Sequence, residues 1–259
     1  MSKFTLSAAV AAVGVASSFA NASPVVINDP AKITDGFVYE AIPLASAQQL
    51  STSGFPGMPQ SLGVGVTGSD TVRHISSLIR FDLSGVTFNP ATERATLTLR
   101  NIGVSFIEPP ASVVADPTVA QPVTVGLKRI DSAWSYNSVS YTAGSFSFGG
   151  PLQTNTGRPA VNSTVIDAED VTGVGQTVTF DISSQVNAWL NGGTSNFGLY
   201  VEQTSPATFI AGDGWAVANF ASSRVSGGVG IPTFTISAIP EPATLAALAG
   251  LGALVLRRR

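Results

Sequence analysis

Hydrophobic and polar residues alternate one for one over short stretches all along the middle of the chain. Ile79, Phe81 and Leu83 alternate with Leu78, Arg80 and Asp82, and Ala95, Leu97 and Leu99 with Thr96, Thr98 and Arg100. The same spacing recurs at Val123, Val125 and Leu127, at Val178, Phe180 and Ile182, at Phe197, Leu199 and Val201, and at Phe234 and Ile236. Successive side chains of a strand point to opposite faces, so a period of two predicts strands with one face in a core. Six or more such strands, separated by Gly, Asn and Pro turns and with almost no helical period, predict an all-β antiparallel sandwich. One stretch departs from the pattern. Ile182, Val186, Trp189 and Leu190 fall at i, i+4, i+7 and i+8, which is one face of a short helix. Ser183 or Ser184 is the expected N-cap, and Gly192-Gly193 the expected stop. Trp189 is then expected to plug one end of the sandwich.

Composition supports strands and narrows the partners. Hydrophobic residues make up 44% of the 259 and charged residues only 11%, with Gly 26 and Pro 16 set among many Ser, Thr and Val. That mixture favours strands joined by turns, and it supplies enough apolar material for a sizeable core. The net charge is −3, with no basic run inside the folded middle, so nucleic-acid binding by phosphate neutralisation is not expected. The chain has no cysteine, which removes disulfides, thiolate metal sites and thiol nucleophiles together.

The two ends read differently from the middle. Lys3 precedes an Ala/Val-rich run to about Phe19, followed by Ala20-Asn21-Ala22. A positive start, a short apolar stretch and small residues in an A-x-A pattern are the marks of a secretory signal peptide, with cleavage expected after Ala22. Residues 1–22 are therefore assigned to export through the Sec machinery, and residues 23–238 to the folded domain.

Residues 239–259 form a second signal. Ile239-Pro240-Glu241-Pro242 is followed by an uncharged run from Ala243 to Leu256 and then by Arg257, Arg258 and Arg259. As a helix the run would span about 21 Å, short of the roughly 30 Å of a hydrocarbon core, so it suits transient insertion in the inner membrane. The arginines would hold its end on the cytoplasmic side. Pro240 and Pro242 resist helix propagation and keep the glutamate between them extended. This three-part tail resembles the PEP-CTERM sorting signal. That resemblance implies processing by an exosortase-like membrane enzyme and delivery to the cell surface or extracellular matrix of a Gram-negative-type bacterium that makes exopolysaccharide.

The middle also resembles a family. Ser77 to Leu83 is similar to the "LlrFdLs" strand of DNRLRE-domain proteins, and Ala95 to Leu99 to their "AtLrL" strand. Val125 to Trp134, with Tyr136 to Tyr141 after it, resembles "v.v..v...W.e..vtw". Phe180 to Leu199 resembles "fDvT..V..W..g..nyGl.l", and Phe220 to Ser223 with Pro232 to Ile236 resembles the closing segment. The resemblance covers about Asp35 to Ser237 and implies a jelly-roll sandwich. Some members are carbohydrate-binding modules of polysaccharide-active enzymes. The chain departs from the pattern in a Ser/Gly/Pro-rich stretch from Ala45 to Gly63, read as a long loop, and in a Pro-rich insertion from Glu108 to Pro122.

Chemistry-bearing residues are few. His74 is the only histidine, there is no G-x-S-x-G elbow, and His74 is read as a residue just before a strand. No catalytic residue and no cofactor are expected, although any two carboxylates across a cleft could in principle hydrolyse a glycoside. Asp167, Glu169 and Asp170 form the densest acidic cluster and are read as an acidic turn, with calcium as the ligand such oxygens would take. A polysaccharide would need an exposed aromatic platform, because sugar C–H faces stack on rings. The candidates are Trp215 in a Gly-Asp-Gly-Trp turn, Tyr136, Tyr141 and Tyr200, with Arg100, Lys128, Arg129 and Arg158 as partners for acidic sugars. Trp134 and Trp189 are assigned to the core. The sequence reading is thus an exported, non-enzymatic surface or matrix protein, structural or adhesive in exopolysaccharide. The alternatives are a polysaccharide-recognising module and, third, a polysaccharide-degrading enzyme.

Overall fold

The computed structural model describes residues 23–41, 50–51, 61–67, 73–103, 114–134, 159–206, 209–210, 214–225 and 227–239. The chain begins with β1 (Val25–Ile27), a single 3-10 turn (Pro30–Lys32), β2 (Ile33–Ala41), β3 (Leu50–Ser51), β4 (Ser61–Thr67) and β5 (Arg73–Phe81). It continues with β6 (Glu93–Arg100), β7 (Val114–Ala115), β8 (Val123–Ile130), β9 (Val161–Val171) and β10 (Thr177–Asp181). Helix α1 (Ser183–Leu190) is followed by β11 (Leu199–Gln203), β12 (Phe209–Ile210), β13 (Gly214–Ala221) and β14 (Thr233–Ala238).

These strands form two sheets. The smaller has the order β1-β14-β6-β10, and the larger runs β12-β13-β4-β5-β11-β8-β9 with β2, β3 and β7 joined to it. All the pairings are antiparallel except that of β7 with β13. Strand β2 runs along one side of β5 for its whole length. The other side of β5 is shared, with β4 against residues 73–75 and β11 against residues 77–79.

The alternation seen in the sequence is the inside–outside alternation of the sandwich. Leu97 and Leu99 from β6, Phe180 from β10 and Phe234 from β14 meet Ile79, Val125, Leu127 and Val201 from the larger sheet in one buried cluster. The rings of Phe81 and Phe234 lie 5.6 Å apart across the two sheets. Burial of this aliphatic and aromatic surface is the main favourable term holding the sheets together. At one corner the edge strands β9 and β10 are clasped by a side chain, since Asp181 donates its N–H to Asp167 Oδ2 at 2.6 Å. A charge turned inward on an edge strand also discourages pairing with other chains.

The larger sheet buries residues on its outer face too. Leu78, Ile130, Trp134 and Tyr200 form a second buried cluster, with Phe197 and Val161 packed against it. Phe197 was expected on the same face as Leu199 and Val201, but Gly198 between them has φ +98, which breaks the alternation and sends Phe197 to the other side. A Cβ at Gly198 would lie 2.5 Å from the carbonyl oxygen of Ile79, so only glycine fits this close approach.

Several sequence expectations are corrected by tertiary pairing. The stretch read as a loop from Ala45 to Gly63 contains β3 and the start of β4, and Leu62 is a core residue. The insertion from Glu108 to Pro122 contains β7. Trp215 was read in a turn, yet its backbone is in β13, paired with Phe209 on one side and Val114 on the other. His74 lies within β5 rather than before it, opposite Glu40 and Val66. The acidic cluster stands on β9 instead of a turn.

Helix α1 forms where expected, but its cap differs. Ile182 occupies the N-cap position and makes no side-chain capping bond. Ser183 instead turns its hydroxyl to the N–H of Ala95, and the carboxylate of Asp181 accepts the N–H of Ser183 at 3.0 Å. A negative charge at a helix start is favourable. Burial pushes the Asp181 carboxyl up, but hydrogen bonds from Ser183 and the charge of Arg94 outweigh it and hold the group below its usual range. Gly193 ends the helix in the left-handed conformation, and Thr194 N–H returns to Ala188 O at 3.0 Å. Trp189 is partly buried and packs against the main core.

Candidate functional site

The outer face of the larger sheet carries a groove of about 460 Å³ where three distant segments meet. Its rim is the turn after β1. Asp29 accepts the N–H of Ala31 at 2.9 Å and Pro30 presets the first helical position, which together fix the turn that presents Lys32. The Lys32 carbonyl then accepts the N–H of Asp82 at 2.8 Å, joining the rim to the end of β5. Thr34 on β2 and Arg80 on β5 are directly opposite each other and form the floor. The third wall is Asn196, whose amide donates to the Phe81 carbonyl at 2.9 Å while its oxygen accepts the N–H of Gly198 at 3.1 Å.

The groove's electrostatics favour an anion. Its charged residues are Lys32, Arg80 and Asp82. The Asp82 carboxylate accepts the N–H of Ser84 at 2.9 Å. The Ser84 bonds, with the charge of Lys32, hold Asp82 below the usual carboxylate range. Asp82 is thus engaged locally. Among the described residues, neither Lys32 nor Arg80 takes part in a salt bridge. The guanidinium of Arg80 lies 5.5 Å from the centroid of the Trp134 ring, a cation–π contact that orients it without using its N–H donors. Trp134 is itself fixed, because its indole N–H donates to the Phe197 carbonyl at 2.6 Å. Sequence reasoning missed Lys32, Arg80 and Asn196. The available hint was an arginine on the outer face of a strand, opposite a threonine.

The residues singled out from the sequence are not brought together. Tyr200 is only 2% exposed, shut into the second cluster beneath Trp134, so it offers no stacking platform. Lys128 pairs with Glu202 at 2.5 Å, and Arg129 with Asp131 at 2.5 Å. Arg100 projects from the outer face of the smaller sheet, on the opposite side of the sandwich from Lys128. Asp167 is occupied by the N–H groups of Ala168 and Asp181, whereas Asp170 leaves the other face of β9 and accepts the Thr124 hydroxyl at 2.7 Å. Alternation along β9 puts Asp167 and Glu169 on one face and Asp170 on the other, and among the described residues no three metal-ligating side chains converge. Tyr136, Tyr141 and Arg158, the signal residues Ala20 and Ala22, and Pro240, Glu241, Pro242, Arg257, Arg258 and Arg259 lie outside the described residues, as does the side chain of Trp215.

A buried polar cluster fastens the sandwich beside this face. Asp35 on β2 has 0% exposure and accepts the hydroxyl of Ser222 at 3.3 Å, the hydroxyl of Ser223 at 3.0 Å and the N–H of Ser223 at 2.5 Å. Arg224 approaches the same carboxylate at 3.1 Å and donates to the Asp35 carbonyl at 2.6 Å. Burial pushes the Asp35 carboxyl up, against the opposing pull of Ser223 and the Arg224 charge.

A scan against models of known protein families finds no match to this chain, and a search of curated proteins finds none either.

Proposed function

We propose that the chain is an exported, non-enzymatic protein with a jelly-roll domain, sorted by an exosortase-type system and working in or on the exopolysaccharide layer. The observation that carries this reading is the tail. After β14 the sequence runs through the proline-bracketed Glu241, an uncharged run of membrane-insertable length and three arginines, in that order. The described residues form an all-β sandwich, the fold class that the jelly-roll reading requires. Mass spectrometry of the protein recovered from the producing bacterium is the test. The expected mature chain starts at Ser23 and lacks Arg257 to Arg259; a mature chain still ending in Arg259 overturns the sorting reading.

One observation favours a second reading, a module that recognises polysaccharide. The groove holds two cations, Lys32 and Arg80, that take part in no salt bridge among the described residues, beside Thr34, which suits a carboxylated or sulfated sugar better than a neutral one. Calorimetric titration with a polyuronate and with a neutral glucan is expected to show binding of the first only. Arg80→Ala should weaken it by about 10- to 100-fold, the value of one charge-assisted hydrogen-bonded contact. Equal binding of both polymers, or an unchanged affinity in Arg80→Ala, removes this reading. Release of new reducing ends from either polymer would favour an enzyme instead.

A further inference from the structure

We propose that Gln185 and Trp189 hold one internal water against helix α1, its oxygen accepting a side-chain N–H from each. Residues four apart on a helix stand on one side of it, with Cβ atoms about 5–6 Å apart. Long helical side chains lean toward the helix start, so the indole of Trp189 reaches back over the turn that carries Gln185. Each residue brings a donor closed off from solvent, the amide nitrogen of Gln185 and the indole nitrogen of Trp189. Among the described residues neither donor has a protein acceptor. Gln185 is only 7% exposed, a burial that an amide side chain rarely keeps without partners.

The chemistry of the two groups narrows the occupant. An indole N–H and an amide NH2 both donate and accept nothing, so the two nitrogens cannot serve each other. Both call for an oxygen, and a buried donor left without one is costly. A water oxygen accepts two hydrogen bonds at once and keeps two hydrogens for nearby carbonyls, which is how buried waters bridge otherwise unpaired groups. An ion does not suit the place. Helix α1, Ser183 to Leu190, carries no charged side chain, and an ion taken out of water needs a partner. The site also bears on the groove. Trp189 packs against the main core. The chain leaving the helix then holds the Phe88 carbonyl through Asn191 at 3.0 Å and the Phe81 carbonyl through Asn196 at 2.9 Å. A water fastening α1 thus steadies the segment from which Asn196 walls the groove.

The test is made on the full chain, by nuclear magnetic resonance of isotope-labelled protein and by thermal unfolding. Direct cross-relaxation is expected between water and the Trp189 indole hydrogen, a signal identified by its loss in Trp189→Phe. Gln185→Met keeps the length of the side chain and removes the amide. It should abolish that cross-relaxation and lower the melting temperature by about 2–4 °C. Placed on top of Trp189→Phe, the same change should cost less than half as much, because the shared oxygen has already lost one partner. A Gln185→Met protein that melts at or above the native temperature overturns the site, since it shows that the amide donor was unpaired. Strictly additive losses overturn the shared oxygen. An indole hydrogen without contact to water also overturns the proposal, and coupled losses would then mean that the Gln185 carbonyl accepts the indole N–H directly. Should Trp189→Phe fail to fold, Trp134→Phe and Trp215→Phe identify the indole signal by elimination. The water contact and the sign of the Gln185→Met shift then decide.

Discussion

Asp35→Ala is expected to cost the domain about 3 kcal/mol of unfolding free energy, measured by urea denaturation at neutral pH. The substitution leaves the N–H of Ser223, two hydroxyls and one edge of the Arg224 guanidinium without their shared acceptor, inside a site closed to water. The arginine side chain is 35% exposed and can turn outward, which limits the loss to less than a fully enclosed pair would suffer. Asp35→Asn keeps the shape and should cost less. It also isolates a pH effect. The Asp35 carboxyl titrates above its ordinary value in the folded protein. Its contribution to stability is therefore fully present below the unfolded value of 3.8 and fades as pH rises through the raised folded value. Asp82 and Asp181 act in the opposite sense, because their lowered values give stability that is lost on acidification. The difference between native and Asp35→Asn stabilities should thus shift against the native protein from below pH 4 toward neutrality. A difference that is flat with pH overturns the burial account.

Trp134→Ala is expected to lose about 3–4 kcal/mol, the usual scale for removing a large buried aromatic. Beyond the cavity, it uncovers Leu78 and Tyr200 on the outer face and leaves the Phe197 carbonyl without its donor. Trp134→Phe should recover most of the packing and cost only about 1 kcal/mol for the missing hydrogen bond. The two variants also separate support of the fold from support of the groove. Both remove the indole, but Phe keeps a ring face for the Arg80 guanidinium. Chemical denaturation reads the stability; an alanine variant within 1 kcal/mol of native would show that this outer cluster is peripheral.

The sandwich was legible because its core is written locally. Val123, Val125 and Leu127, or Leu97 and Leu99, need no knowledge of their partners to be placed inward. Strands whose sequence is polar or glycine-rich were missed, because their state is decided by pairing. Strand β9 carries Asp167, Glu169 and Asp170 yet is fixed by β8 along most of its length. Glycine and aspartate before Trp215 read as a turn, but β7 and β12 on its two sides hold it extended. Asp35 left a usable trace: it falls two residues after the buried Ile33, so strand alternation points it inward, and an inward aspartate demands partners. Those partners lie nearly two hundred residues away, and nothing in the local sequence names them. The groove is less legible still, since Lys32, Arg80 and Asn196 belong to a turn, a strand and a loop that meet only after the sheets assemble. Helix α1 shows the same limit on a smaller scale, its serine drawn away from capping by Ala95 of a strand eighty-eight positions earlier.

The seating of β14 between β1 and β6 has a mechanical meaning. A pull on the chain beyond Ile239 enters the sheet along the axis of an interior strand, with ladders on both flanks. Once its terminal residues have peeled, tension loads the remaining rungs in parallel rather than opening them one by one. A body tethered through that strand would resist drag at its attachment point until several rungs give way together.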